Sequence, residues 1–168
     1  MKTLFILRHA KSSWKDDALA DFDRPLNSRG LDEAAFIGTG IYQNGIQTDL
    51  FISSPAKRAK QTAILVRETS QIAAQIQYDE RIYEASPLTL LNIITEIEDK
   101  YESALLVGHN PGFESLIKIL TGELLAFPTA GFAKINLQIE KWSDAAPDSG
   151  EVKLLMYPNH EIRTFKSE

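Results

Sequence analysis

An α/β three-layer sandwich is the architecture the sequence predicts, with a mostly parallel central sheet, helices on both of its faces and an antiparallel C-terminal edge. Short apolar runs without polar alternation, such as LFIL, LFIS and ALLV, have the pattern of strands buried on both faces. Each is followed by a longer segment whose apolar residues recur at helical spacing. The C-terminal part instead alternates polar with apolar residues. Strands that alternate with helices of this length imply parallel pairing through crossover connections, and an alternating tail implies a hairpin added at one side.

The first strand ends at Leu7, where the apolar run stops at Arg8 and His9, and a polar loop continues through Pro25. LNSRGLDEAAFIGTGIYQNG reads as a helix that Asn27 or Ser28 can cap, with Leu31, Ala34, Ala35, Gly38, Ile41 and Tyr42 on one face and Asn44-Gly45 as its stop. TDLFISS is the second strand, and SPAKRAKQTAILVRET follows as a helix with Ser54 as cap and Pro55 at its first position. QIQYDERIYE is strand-like, and SPLTLLNIITEIEDK repeats the Ser-Pro start at Ser86 and Pro87, burying Leu88, Leu91, Ile94 and Ile97. SALLVGHNPGFESLIKILTGE supplies a strand through Val107, a turn, a helix with Pro111 near its start, and Gly122 as its stop. In the tail, FAKINLQI places Ile135, Leu137 and Ile139 on one face, and EVKLLMY, after the turn DAAPDSG, can pair with it.

Composition sets the frame for function. At 168 residues, 43% hydrophobic and 24% charged, the chain suits one domain over 1–168 with a core of its own, and no Gly/Ser-rich linker divides it. The absence of cysteine removes disulfides and thiolate metal sites and fits a cytoplasmic address. The start MKTLFIL is too short for a signal-peptide core, and no segment has the roughly 18 apolar residues of a membrane span. A net charge of −5 argues against a nucleic-acid surface, which needs clustered excess cation.

In an open α/β sheet, ligands bind beyond the carboxyl ends of the strands. There the first strand delivers Arg8 and His9, the second leads to Arg58 in the first turn of its helix, the third ends at Glu84, and the fourth ends at Gly108, His109 and Asn110. Taken singly, each has an ordinary explanation. A lone His after a strand is most often a hydrogen-bonded loop residue, Arg58 would share a solvated helix face with Lys57 and Lys60, and Glu84 would be a surface carboxylate. His160, in YPNHEIR, is read as a residue of that ordinary kind. Lys11 and Ser12 are loop residues that are weak candidates for phosphate contact. Convergence changes the weighing. A cation near a helix N-terminus opposes the helix dipole unless an anion lies between it and the free N–H groups, where all become donors to that anion.

A phosphoryl group is the anion these side chains suit. Guanidinium forks match phosphate oxygens, and a neutral imidazole can attack phosphorus while a second shares the developing charge. A metal held by His9, His109 and Glu84 is the rival use. Arg8 and Arg58 would repel a divalent ion, and no His pair has helical i, i+4 spacing, so neither metal nor cofactor is expected. A nucleotide-binding role for VGHNPG is weaker still, because the Gly-rich fingerprints are absent.

The segments LFILRHAK, DLFISSPAKRAKQTA, DERIYEAS and ALLVGHNPG resemble, in order, the signature segments of the histidine phosphatase superfamily, and the short chain with RHAK resembles its SixA-type phosphohistidine phosphatase branch. The resemblance runs from about Met1 to Phe132 and implies a phosphoglycerate mutase-like fold. It implies that His9 is the nucleophile, carrying the phosphoryl group as a covalent phosphohistidine, and that Arg8, Arg58 and His109 hold the phosphoryl oxygens. Asn110 and Ser12 are further candidates for phosphate contact. Glu84 matches the proton donor of the mutase and phosphomonoesterase branches, a position that varies among SixA-type members. Arg29 and Gly30 resemble a family TxxG segment, read as helix-start geometry. Ala10 stands where most members carry glycine, and Lys11 near where an acidic residue is common.

Larger relatives insert a cap over the site, whereas here the segment between Glu84 and His109 holds one helix and little else. An uncapped site buries little of a metabolite but can admit a side chain presented by another protein. The expected function is therefore a metal-independent phosphohydrolase acting on a histidine-phosphorylated protein, such as a histidine phosphotransfer domain. A small phosphorylated molecule is the other partner the residues allow. The alternatives are a small-molecule phosphomonoesterase or pyrophosphatase, which would depend strongly on Glu84, and a non-catalytic phosphate-binding module, against which both His9 and His109 are present. A mutase is disfavoured, since holding an intermediate for re-transfer needs a closed site that excludes water.

Overall fold

The computed structural model of this chain describes residues 1–158 and 162–165, so His160 lies outside the described residues. Four parallel strands, β1 (Lys2–Arg8), β2 (Leu50–Ser53), β3 (Ile76–Tyr78) and β4 (Ser103–Gly108), join three antiparallel ones, β5 (Phe132–Leu137), β6 (Gly150–Met156) and β7 (Ile162–Thr164). Their order across the sheet is β3-β2-β4-β1-β5-β6-β7. The halves meet at β1, which runs parallel to β4 with Arg8 opposite Gly108, and antiparallel to β5 with Leu7 opposite Phe132.

Successive side chains of β1 enter different cores, which is why its apolar run has no polar alternation. Leu4 and Ile6 pack into a cluster with Leu90 and Ile94 of α3 (Pro87–Thr95) and Leu116 of α4 (Gly112–Thr121). Phe5 and Leu7 pack with Ile37 and Ile41 of α1 (Ser28–Gln43) and Ala63 and Val66 of α2 (Lys57–Ser70). Leu4, Ile6 and Leu7 are completely buried, so truncating any of them to alanine removes about 2–5 kcal/mol of stability. The result is the three-layer, phosphoglycerate mutase-like α/β sandwich that the sequence predicts. Among the described residues, no helix is long and apolar enough to cross a membrane.

Several local expectations need correction. In α1, Asn27 caps as expected, its side chain accepting from the Gly30 amide at 2.8 Å, and Ala34, Gly38 and Ile41 are buried. The inner face is completed, however, by Gly30, Glu33 and Ile37, while Leu31 and Tyr42 are exposed. The helix is turned so that its first turn abuts the loop after β1. A Cβ at Gly30 would land on the Lys11 carbonyl oxygen, an approach only glycine allows. α3 starts as expected with Ser86 accepting from Thr89 N, and Ile94 and, just past the helix, Ile97 are buried as expected; but the helix also buries Leu90 and Ile93, while Leu88 is exposed and Leu91 half-buried. The strand expected over QIQYDERIYE is only three residues long, because the chain turns through a 3-10 turn at Glu80–Ile82, capped by Asp79, that buries Ile82.

Candidate active site

The backbone of His9 is clamped on both sides. Its amide donates to Gly108 O and its carbonyl accepts from Ala130 N, each at 3.0 Å. The next amide, Ala10 N, donates to Thr62 Oγ1 at 3.0 Å, tying the loop to α2. The imidazole is 8% exposed, and Nδ1 lies 2.7 Å from Ala10 O. A carbonyl can only accept, so Nδ1 carries the proton. Burial, helped by His109, Arg58 and Arg8, pushes the His9 pKa down to about 3, against the pull of the Ala10 carbonyl. The ring is therefore neutral at pH 7 with its lone pair on Nε2, the state a nucleophile needs. Burial outweighs the neighbouring arginines in setting that state.

His109 closes the other side. Its ring centroid is 5.2 Å from that of His9, it is 9% exposed, and burial, reinforced by Arg58 and Arg8 against Asp21, lowers its pKa to about 4. Its Nε2 lies 2.7 Å from Ser54 Oγ, and its buried Nδ1 has no partner. Ser54 is thus not the cap of α2. The helix begins at Lys57 after Ala56, which provides no side-chain cap.

Arg8 donates to Phe127 O at 3.0 Å and keeps a buried, unpartnered Nε. Asn110 donates to the same carbonyl at 2.8 Å and to Glu114 Oε1 at 3.1 Å, and Glu114 Oε1 also accepts from Phe127 N at 2.9 Å. Both amide hydrogens of Asn110 are committed to acceptors, leaving only its carbonyl oxygen free. Asn110 thus holds the carbonyl on which Arg8 rests.

Arg58, 7% exposed, sits in the first turn of α2 as expected, and the protein supplies an anion for it. Its guanidinium donates to Asp21 O at 2.6 Å and to Asp21 Oδ2 at 3.0 Å, leaving Nε buried and unpartnered. Tyr83 OH donates to the same carboxylate oxygen at 2.7 Å, and Arg24 to its other oxygen at 2.9 Å. The Tyr83 hydroxyl and the two arginines hold the Asp21 carboxyl down at about 2. Arg24 also donates to Ser13 O and to Ser12 Oγ, and its guanidinium lies 3.3 Å over the Trp14 ring. Tyr83 meets His109 edge-on at 5.6 Å and Phe22 at 5.1 Å.

These groups surround a cleft of about 210 Å³ lined by Arg8, His9, Lys11, Ser12, Trp14, Arg24, Arg58 and Thr129. A larger hollow of about 490 Å³ lies beyond Thr129, lined by residues such as Arg29, Phe36 and Pro128, and it contains none of the converging arginines and histidines. Arg8, His9, Arg58 and Ser12 thus meet in one cleft, with the His109 ring tilted 52° against that of His9. Glu84 does not line it. Glu84 is exposed, at a left-handed φ of 54°, one residue past the Tyr83 that reaches His109. The chemistry available is capture of a phosphoryl group by His9 Nε2 among guanidinium and imidazole donors, of which Arg58 and His109 are buried.

Asp21, Arg24, Trp14, Tyr83 and Ser54 were not among the expected site residues. Thr62 alone left a usable signal, since it stands four residues after Arg58 and so on the same face of its helix.

A family model described as histidine phosphatase superfamily (branch 1) matches residues 4–111, and the chain belongs to that superfamily of phosphatases. An uncharacterized protein of Mycobacterium leprae is 32% identical over 165 residues, covering 90% of this chain and 99% of that one. An uncharacterized chloroplastic protein of Arabidopsis thaliana is 28% identical over 158 residues, covering 89% and 72%. Among solved structures, one provisionally named phosphohistidine phosphatase SixA from Agrobacterium tumefaciens superposes with a TM-score of 0.81 at 29% identity, over 94% of this chain and 98% of that one. The protein histidine phosphatase SixA complexed with tungstate also reaches 0.81, at 21% identity, over 94% and 97%, and shares the fold.

Proposed function

We propose that this protein is a metal-independent phosphohydrolase that removes the phosphoryl group from a phosphohistidine side chain of another protein, such as a phosphotransfer domain. The observation that carries this reading is the state of His9: neutral, with Nδ1–H held by Ala10 O and the Nε2 lone pair free in a cleft walled by Arg8 and Arg58. In the first step a bond forms between His9 Nε2 and phosphorus while the phosphorus–nitrogen bond of the substrate breaks, its imidazole keeping the electron pair and taking up a proton. In the second, water attacks the phosphohistidine, releasing phosphate and returning the pair to Nε2. Arg8, Arg58 and His109 stabilise the phosphoryl oxygens throughout, Ser12 offers its hydroxyl at the rim, and Glu84 is the candidate proton donor.

The class of substrate follows from the rim. Between Glu84 and β4 the chain forms only α3, so one domain over 1–168 without a cap is the organisation we propose. Trp14 is 71% exposed at the cleft, and Phe22, also exposed, packs on Tyr83, which donates to the same Asp21 oxygen as Arg58 does. Exposed aromatic groups beside an open cleft suit a protein surface better than a small ester. The SixA names of the similar structures support the same substrate.

The test is phosphate release in EDTA from a histidine-phosphorylated carrier domain and from a panel of small phosphate esters, with wild type and His9→Ala in parallel. Fastest clearance of the phosphoprotein and a folded, inactive variant are expected. Turnover of small esters only would move the function to a phosphomonoesterase, and no turnover at all would leave a phosphate-binding module.

A further inference from the structure

We propose that Ser54 is a positioning residue that fixes the tautomer of His109, so that His109 offers a neutral Nδ1–H to the phosphoryl oxygens. The inference rests on the phosphatase reading above and adds to it which proton the second histidine uses.

Ser54 and its surroundings allow one arrangement of protons. The residue is completely buried, and its Oγ has two neighbours: the Ala56 amide at 3.3 Å and His109 Nε2 at 2.7 Å. The amide can only donate, so it takes an Oγ lone pair. A buried hydroxyl needs an acceptor for its own hydrogen, and Nε2 is the acceptor within reach. Ser54 therefore donates to Nε2, which must carry a lone pair, and a neutral ring then has its proton on Nδ1. That Nδ1 is buried and has no partner, on a residue 9% exposed whose ring centroid is 5.2 Å from that of His9. An N–H with no acceptor is costly to bury unless an acceptor arrives, and a phosphoryl oxygen transferred to His9 is such a group. The backbone keeps Ser54 in place, its amide donating to Val107 O at 2.9 Å on the strand that leads to His109.

The two histidines are thus set alike by different means. A backbone carbonyl puts the His9 proton on Nδ1 and frees Nε2 to attack. A serine hydroxyl puts the His109 proton on Nδ1 and makes that ring a donor.

Nitrogen-15 NMR of histidine-labelled protein at pH 7 reads the tautomers directly, independent of any activity. His109 in the wild type should show a protonated Nδ1 and an unprotonated Nε2. In Ser54→Ala the population should move toward the Nε2–H form, with kcat for phosphate release down roughly 10- to 100-fold, the size of a lost transition-state donor. Ser54→Thr, which keeps the hydroxyl, should restore the wild-type spectrum and most of kcat. A wild-type His109 protonated on Nε2 would overturn the proposal whether or not the protein proves to be a phosphatase. So would a Ser54→Ala variant that loses activity with the His109 tautomer unchanged, since that is what loss of packing would give. If Ser54→Ala fails to fold, the wild-type spectrum and Ser54→Thr still decide.

Discussion

Thr62 Oγ1 accepts the amide of Ala10 at 3.0 Å and donates to Arg58 O at 2.7 Å, so one hydroxyl joins the loop that follows His9 to the turn that carries Arg58. Both Ala10 and Thr62 are completely buried. Thr62→Val keeps the shape but leaves the Ala10 amide without a partner, which costs about 1–3 kcal/mol. Urea unfolding should show that loss. Phosphate release should fall about tenfold in kcat, because Arg58 is no longer tied to the nucleophile loop. A variant as stable and as active as wild type would remove Thr62 from the site.

Neutral, buried histidines make stability pH-dependent over a definite window. His9 is held at about 3 and His109 at about 4, against an ordinary histidine value of 6.5. Between those values the unfolded chain binds protons that the folded chain does not, so stability rises with pH; the contribution is complete above about 6.5 and is lost as pH falls toward the folded values. His9 alone should remove about 2 kcal/mol between pH 7 and pH 5. His9→Gln should flatten the dependence by about that amount in denaturant unfolding. Parallel curves for the two proteins would show that His9 titrates in the fold as it does in the unfolded chain, with no depression of its pKa. Asp21, lowered from 3.8 to about 2, acts in another window: its stabilisation is present above about 4 and is lost as pH falls through 2, so it does not affect the comparison.

The sheet was legible in the residues because burial on both faces leaves unbroken apolar runs, and the strand ends then placed Arg8, His9, Arg58 and His109 near one another. What was not legible depended on contacts between distant segments. Ser54 carries the signal of a helix cap, yet its hydroxyl faces His109, 55 residues on. Leu31 looked like core, but the rotation of α1, set by the close approach of Gly30 to Lys11, exposes it and buries Glu33. The polar loop after His9 showed no periodicity at all, and it supplies Trp14, Asp21 and Arg24, whose places are fixed by Arg58 and Tyr83 rather than by their own neighbours.

Trp14 offers a test of the substrate that leaves the chemistry intact. Its ring stacks on Arg24 but is 71% exposed, so removing it deletes little of the fold. If a phosphoprotein docks over this rim, Trp14→Ala should raise KM for the carrier domain about tenfold, equivalent to roughly 1.4 kcal/mol of contact. The same variant should hydrolyse a small aryl phosphate at the wild-type rate. Equal effects on both substrates would make Trp14 a support for Arg24 and the loop, not a docking group.

Glu84 separates the two enzymatic readings, because leaving groups differ in how much acid they need. An alkoxide leaves poorly without a proton, and a positioned acid contributes about 10²–10⁴-fold. The phosphorus–nitrogen bond of phosphohistidine is weaker, so its cleavage asks less of an acid. Glu84 is exposed, outside the lining of the cleft, and held at a φ of 54° that few non-glycine residues adopt. Glu84→Gln should therefore slow hydrolysis of an alkyl phosphate by about 100-fold or more and dephosphorylation of the carrier domain by less than about tenfold. A loss of the same large size on the carrier domain would make Glu84 the obligatory acid for both. The ease of breaking the phosphorus–nitrogen bond would then have no part in the choice of substrate.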